Sequence, residues 1–508
     1  MNSGSGARRW LWLAAVVPFT VLALLRVPEG PRLNEEDYAH NLLHAQAIAD
    51  GRGYTDIGFI PTRLGPFGGP IARPPGLPIL LAPLVAAGGV RSPLIPLFMI
   101  AFGTAFLMLA SRAFRDREPA PLIFAIGLLS GLQPDVLHFS SEALTDIPLA
   151  ALIWGVVVLS DRDEAWSGWR LLAIALAGAA AISIRQAGVA LVPALAVFAL
   201  LRFRTHGVRA LFPLLVWCVA FWLTTSLLPT APSYATLEGH GARPWIDGAP
   251  QRIRTYGFAV LDAQLHPFPF KGLNLAYHAT TLALLGIGAI GAIRAYWRSM
   301  AGLFTGAYVA LLFAIPVVDR RYLYPLIPVV VVLTLRGLLD CMRWIRPSLP
   351  EQRRALIVGV AATVVAFSAS ASQWRPVRQT GLAVQADSRA LFARIRPLGA
   401  SGARLLTIKP RIFTLEAGVP AMALFGAAPA QVVRELCEQG ITHVVVGDLG
   451  LFPSETAKLR AAVDSLPLAF REEYRNASFR LMRFDDVAQR SADAASCPVS
   501  PRAVPTSP

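Results

Sequence analysis

Apolar stretches about as long as a bilayer crossing recur from residue 10 to about residue 370, separated by short segments in which arginine is concentrated. A hydrocarbon core of about 30 Å takes roughly 20 apolar residues in a helix. Runs near that length lie at 10–27, 93–112, 119–137, 145–160, 168–185, 187–203, 208–229, 273–293, 300–318, 322–341 and 354–371. They predict a mostly α, polytopic membrane bundle of about 11 spans. The first run follows Arg8 and Arg9 and lacks a small-residue cleavage site, so a retained anchor with its N-terminus inside is expected. The run at 76–90 is shorter and carries Pro78 and Pro83. If it crossed, the Arg112, Arg115, Arg117 cluster would fall outside. Read as an interfacial or re-entrant helix, it leaves the later arginine-rich loops inside, as the positive-inside rule requires.

After residue 372 the pattern changes to a globular mix. SRALFARIRPLG and APAQVVRELCEQG have helical spacing, ARLLTI and ITHVVVG read as strands, another helix is expected near 454–465, and a strand pair near 470–474 and 478–484 closes the domain. The organisation expected is a transmembrane domain over 1–371 with its first outer loop at 28–92. A small extracytoplasmic α/β domain follows at 372–487, then a Ser/Ala/Pro-rich disordered tail at 488–508.

Composition agrees: of 508 residues, 54% are hydrophobic and 16% charged, against about 25% charged in an average soluble domain. A net charge of +15 raises the question of nucleic acid. The basic residues are nearly all arginines scattered through short loops, which membrane orientation explains and a nucleic-acid surface does not. Cys218, Cys341, Cys437 and Cys497 are far apart and have no metal-like spacing. A Cys437–Cys497 bridge is compatible with an extracytoplasmic tail.

The candidate chemistry lies on the predicted outer face. The polar stretch 33–78 holds Glu35, Glu36 and Asp37 at the start of a helical pattern ended by Gly51. Acids in a first helical turn also serve the helix dipole, and at least one of the three is expected to do only that. The next outer loop, HFSSEALTDIP, sets Glu142 and Asp146 one helical turn apart, with Thr145 and Pro148 as ordinary capping and first-turn residues. Two such acidic sites over one cavity suit a base and a group that positions an acceptor or a divalent cation; no metal-ligand set is defined. Arg73, Arg185 and the run Asp319-Arg320-Arg321-Tyr322-Leu323-Tyr324 fall at outer edges, against the inside bias. Arginine there is costly unless paired or facing water, and its fork fits a phosphate. A salt bridge from Arg320 to Asp319 and a snorkelled Arg185 are the plain alternatives. Scattered histidines, Trp245 and Tyr256, and the short Asn476-Ala477-Ser478 acceptor pattern carry less.

In order along 10–335, these motifs resemble the C class of integral-membrane glycosyltransferases. They are the acids before Tyr38, the GRGYTD turn, RPPGLPILLAPL, SSEALTDIPLAALI, RQAGVALVPALAV and RRYLYPLIPVVVVL. The branch in view is related to the protein O-mannosyltransferases and the lipid A aminoarabinose transferases. The resemblance implies transfer of one sugar from a polyprenyl-phosphate carrier to a glycan, lipid or protein acceptor, at the outer face of the cytoplasmic membrane. It further implies that an acid among Glu35, Glu36 and Asp37 is the base, and it places Arg73 and Asp146 on the family's binding elements; Glu142, Arg185, Arg320, Arg321, Tyr322 and Tyr324 are expected to bind substrate from their place at the outer edge. The family commonly has Asp where Glu35 stands, Lys where Arg73 precedes Pro74-Pro75, and Glu where Asp146 follows Thr145. Rival functions are a transporter or lipid flippase, which calls for mid-span charges and internal repeats not seen here, and an oligosaccharide ligase acting on a diphosphate-linked glycan. A non-catalytic assembly protein whose tail domain binds cell-wall components is a third.

Overall fold

The computed structural model describes residues 4–27, 35–55, 58–60, 74–161, 166–203, 207–227, 250, 253–257, 271–314, 319–371, 385–424, 429–447 and 453–484. It divides into two compact units, Met1–Pro28 with Arg73–Arg378, and Glu29–Ala72 with Gln379–Pro508.

All the regular secondary structure among the first unit's described residues is helical. Its sequence runs are rich in Leu, Ala, Val and Ile, with few polar side chains to compete for backbone groups. A helix satisfies all its own amides, as a segment in lipid must. Leu94–Phe114, Gly207–Thr224, His278–Tyr296 and Arg320–Ile345 are each long and apolar enough to cross a membrane, and shorter apolar helices stand beside them. The outer surface is apolar too: Leu25 is 70% and Leu200 74% exposed. A water-soluble bundle would hide these side chains, whereas a bilayer covers them.

Helix pairing here depends on close backbone approach. The helices Lys271–Tyr296 and Ile327–Ile345 meet at Gly288 and Gly337. A Cβ on Gly288 would lie 1.8 Å from the Leu333 carbonyl oxygen, and one on Gly337 2.1 Å from that of Leu284. Lipid tails are as apolar as leucine, so contact of this kind replaces the hydrophobic drive between helices. The helix Gly76–Gly88 has 13 residues, about 20 Å at 1.5 Å per residue, short of the bilayer core.

The second unit is a five-stranded sheet of order β2-β1-β3-β5-β4 with helices around it. The strands are β1 Leu405–Leu406, β2 Ala421–Met422, β3 His443–Gly447, β4 Phe470–Arg475 and β5 Phe479–Phe484. β1 is parallel to β2 and β3, while β5 runs antiparallel to β3 and β4. All five residues of β3 are buried, which is why its Val-Val-Val core reads as a continuous apolar run. The helices Ala386–Ala400, Pro429–Glu438 and Pro453–Asp464 and the β4/β5 pair stand where the sequence predicts them. The helix Pro410–Ala417 and β2 were not predicted.

The helix Glu35–Ala49 also belongs to this unit. Phe59 bridges Ala421 at the free side of β2, with Ile60 N–H donating to Ala421 O at 2.9 Å and Ala421 N–H to Gly58 O at 2.7 Å. Part of the polar stretch after the first span is therefore an edge residue of the sheet, which leaves less of that edge unpaired. Cys437 is disulfide-bonded. Cys497 and the tail from 488 lie outside the described residues.

Candidate active site

One end of the first unit gathers charge. Asp146 opens the helix Asp146–Ser160, where the amide dipoles favour a carboxylate. Arg185 follows the last residue of the helix Gly168–Ile184. The Arg185 guanidinium is hydrogen-bonded to the Asp146 carboxylate and donates to Thr145 Oγ1 at 3.0 Å. Both bonds leave from Nη1, so neither Nε nor Nη2 is used on these partners. Thr145 thus makes no side-chain cap for its helix; its hydroxyl serves Arg185 instead. The guanidinium carbon of Arg185 lies 4.5 Å from the centre of the Tyr322 ring, in cation–π contact.

A 3₁₀ turn, Arg320–Leu326, supplies the other side. Asp319 caps it by accepting from Arg321 N–H at 2.9 Å, and its second oxygen takes Arg321 Nε at 2.8 Å. Arg321 also faces Asp146 Oδ2 at 3.8 Å. Arg320 pairs not with Asp319 but with Asp135, at 3.5 Å. Side-chain exposure separates the three cations: 55% for Arg320, against 14% for Arg321 and 16% for Arg185. Trp154 Nε1 donates to Pro325 O at 3.0 Å and pins the turn to the bundle. Tyr324 packs on Phe139 with ring centres 6.0 Å apart, and its buried hydroxyl has no hydrogen-bond partner. Glu142 is buried, but the chain leaves helix after Phe139, so it sits in the turn before Asp146 and not one helical turn below it.

The structure therefore brings Asp146, Arg185, Arg321 and Tyr322 into one cluster, with Arg320 and Tyr324 on the same turn. Asp135 and Thr145 are parts of it that sequence reasoning passed over or gave another role. Asp135 had a signal, since Pro134-Asp135 starts a short helix beside the expected acidic loop. Arg73 lies outside the described residues.

In the second unit the acids of the helix Glu35–Ala49 differ in what they touch. The Glu36 carboxylate accepts from the backbone N–H of Ile412 at 3.1 Å and of Arg411 at 3.3 Å, with the Arg411 guanidinium at 3.7 Å. It caps the helix Pro410–Ala417, whose N-cap residue, Lys409, gives no side-chain capping bond. Burial raises the Glu36 pKa, and Arg411 with the two amides only partly offsets it. Asp37 shares a helix face with His40, Asn41 and His44 by spacing, and these last three are buried. The His44 Nδ1 bonds to the His40 carbonyl at 2.7 Å; a carbonyl only accepts, so Nδ1 carries the proton. Only the backbone of Glu35 is described, at the helix start. Among the described residues, no three His, Cys, Asp or Glu side chains gather in a way that could hold a metal ion.

No protein-family profile matches the chain, and no curated protein sequence matches it. Solved structures do. ArnT from Cupriavidus metallidurans bound to undecaprenyl phosphate is similar with a TM-score of 0.59 at 14% identity, over 93% of this chain and 97% of that one. Its apo form gives 0.57 at 15% identity, over 93% and 98%. The archaeal oligosaccharyltransferase AglB from Archaeoglobus fulgidus, in complex with an inhibitory peptide and a dolichol-phosphate, gives 0.55 at 12% identity, over 94% and 74%. The chain has the GT-C fold. The likeness extends over 93% of the chain with little sequence identity to mark it. Packing along apolar helices is satisfied by many combinations of Leu, Val, Ile and Ala, so a GT-C bundle is kept while sequence drifts.

Proposed function

We propose that this GT-C protein is a membrane glycosyltransferase that moves a sugar from a polyprenyl-phosphate carrier to an acceptor hydroxyl on the extracytoplasmic face, with inversion at the anomeric carbon. The observation that carries the reading is the partly buried cluster of Arg185, Asp146, Arg321 and Tyr322, in a fold whose solved example holds undecaprenyl phosphate. Guanidiniums at the end of an apolar bundle answer the need of a lipid-borne phosphate, a charge that must sit where tail meets water. Arg185 and Arg321, with Arg320 as the exposed cation and Arg73, hold the departing phosphate. Tyr322 and Tyr324 line the same turn, Asp146 keeps Arg185 and Arg321 in place, and Glu142 positions the acceptor. Of Glu35, Glu36 and Asp37, Glu36 caps the helix Pro410–Ala417, and Asp37 or Glu35 takes the acceptor proton.

Sidedness is supported by the aromatic residues at the other end of the bundle. Trp169, Trp297 and Trp344 are exposed there, as tryptophans are at either membrane interface, and the arginine beside each fits the inside bias. The disulfide at Cys437 suits an oxidising compartment for the second unit. An oligosaccharyl transfer is the second reading, favoured by the AglB likeness. ArnT is covered almost whole and AglB over 74% of its length, so transfer of a single sugar is preferred. Proteoliposomes of the full chain with radiolabelled polyprenyl-phosphate sugars should yield labelled acceptor at the expense of the carrier. Transfer only from diphosphate-linked glycans would select the second reading, and net lipid movement without transfer would reject both.

A further inference from the structure

The helix Gly168–Ile184 ends one residue before Arg185, and its last turn is approached closely by two other stretches of backbone. A Cβ on Gly76, the first residue of the short helix Gly76–Gly88, would lie 2.5 Å from the Ser183 carbonyl oxygen and 2.8 Å from the Ile184 nitrogen. One on Gly188, in the 3₁₀ turn Gln186–Ala190, would lie 2.7 Å from the Ala181 carbonyl carbon and 2.8 Å from the Ile182 nitrogen. The two peptide groups touched are two residues apart, about 200° around a helix of 3.6 residues per turn. The glycines therefore stand on nearly opposite sides of that turn.

These approaches are to backbone, which cannot swing aside as the end of a flexible side chain can. The short helix is anchored as well, since Leu77 and Leu81 are fully buried, so it resists backing away from Ser183. Arg185 is tied on both sides of its own residue. Its N–H donates to Ala181 O at 3.1 Å, and its carbonyl accepts the Gly188 N–H at 2.9 Å. A side chain on a backbone fixed in this way is aimed by that backbone, and a guanidinium fork meets a phosphate well only within about 0.5 Å of its productive place. In sequence each glycine stands three residues after an arginine, in Arg73-Pro74-Pro75-Gly76 and Arg185-Gln186-Ala187-Gly188. The glycines of both motifs serve the same helical turn.

We infer that Gly76 and Gly188 are positioning residues for Arg185: they hold the turn Ala181–Ile184 between two backbones and so set where the guanidinium meets the carrier phosphate. The inference rests on the phosphate reading of the Arg185 cluster proposed above. It gives the short helix Gly76–Gly88 a part in carrier binding, exerted through Arg185.

Native mass spectrometry of the full chain titrated with undecaprenyl phosphate tests it, with a thermal melt of each variant to check the fold. Gly76→Ala and Gly188→Ala should each weaken binding about tenfold, the scale of one hydrogen bond to a charged group. Gly168→Ala is the control: it opens the same helix, and a Cβ there would meet nothing within 4 Å, so affinity should not change. Arg185→Lys keeps the charge and loses the fork. If Gly76 acts through that fork, Gly76→Ala on the Arg185→Lys background should cost much less than it does alone, since coupled sites are not additive. The same tenfold loss with and without the fork overturns the inference, as does wild-type affinity in both glycine variants. Failure of both to fold overturns it too, because the contacts would then serve the bundle alone. Arg185→Lys weakened while both glycine variants bind normally leaves the phosphate reading standing. Full affinity in the Arg185→Met, Asp146→Leu double variant rejects that reading itself.

Discussion

The Glu36 carboxylate accepts the backbone N–H of Ile412 at 3.1 Å, joining positions 376 residues apart. A helix start needs acceptors for its first amides, and in the second unit one comes from a distant helix. The acid is held partly buried for that purpose, which sets its titration and its tolerance to change.

Stability should follow from this with a definite sign. The folded pKa of Glu36 is raised above its ordinary value by burial. The stability this group contributes is thus full below the unfolded carboxyl pKa and is lost as pH rises through the folded value. Glu36→Gln keeps an oxygen for Ile412 and removes the buried charge, so at pH 7 the domain should be at least as stable as the wild type. Glu36→Ala should cost about 1 kcal/mol, as for a lost cap. Hydrogen exchange at Arg411 and Ile412 reads both; equal protection in Glu36→Ala and wild type would remove the capping role.

Transfer activity should separate the three acids. Glu36→Gln is expected to retain it, whereas one of Asp37→Asn and Glu35→Gln should lose roughly 10²–10⁴-fold in kcat with membrane insertion intact, the usual contribution of a general base. If Glu36→Gln alone abolished transfer while the amides of the Pro410–Ala417 helix stayed protected, the assignment of the base would move to Glu36.

His443 gives a second pH signature within the same unit. Burial lowers its pKa against the opposing pull of Glu473, whose carboxylate is 3.3 Å from Nε2. A histidine held neutral contributes fully above its unfolded pKa of about 6.5, and that contribution is lost as pH falls through the folded value. The melting temperature of the second unit should therefore drop as pH falls below about 6.5 in the wild type. The drop should be smaller in His443→Gln, and identical pH profiles for the two would contradict it.

The two units were not equally legible. Runs such as LIPLFMIAFGTAFLML and IPVVVVLTL are long, apolar and free of competing signals, so the bundle could be read from them directly. Strand and helix order after residue 385 was readable because Val444–Val446 and the amphipathic Pro429–Glu438 carry opposite periods. Less could be read where the fold joins distant pieces. That Phe59 would pair with Ala421, or that Glu36 would cap a helix at Pro410, has no local signal. At the candidate site, arginine at the wrong end of a span was a readable anomaly, and Arg185 and Arg321 do pair there. Their carboxylates could not be assigned, because Asp319 prefers the planar fork of Arg321, two residues on and reached by the 3₁₀ turn, over its neighbour Arg320.

Arg185 and Asp146 provide the sharpest test of the cluster, since a buried pair punishes the loss of one partner more than the loss of both. Asp146→Ala leaves a guanidinium at a bundle end with only Thr145 and Tyr322 against it, and should destabilise the helix bundle by about 3–5 kcal/mol. Arg185→Met with Asp146→Leu replaces the pair by apolar volume and should recover most of that stability. The same double variant should still fail to bind a polyprenyl phosphate carrier, because packing is restored and charge is not. Arg185→Lys keeps the charge but not the fork, and should raise KM for the carrier more than it lowers kcat. Melting curves in detergent and carrier-dependence curves in proteoliposomes separate these effects. A double variant that is stable and fully active would show that this ion pair serves the bundle alone.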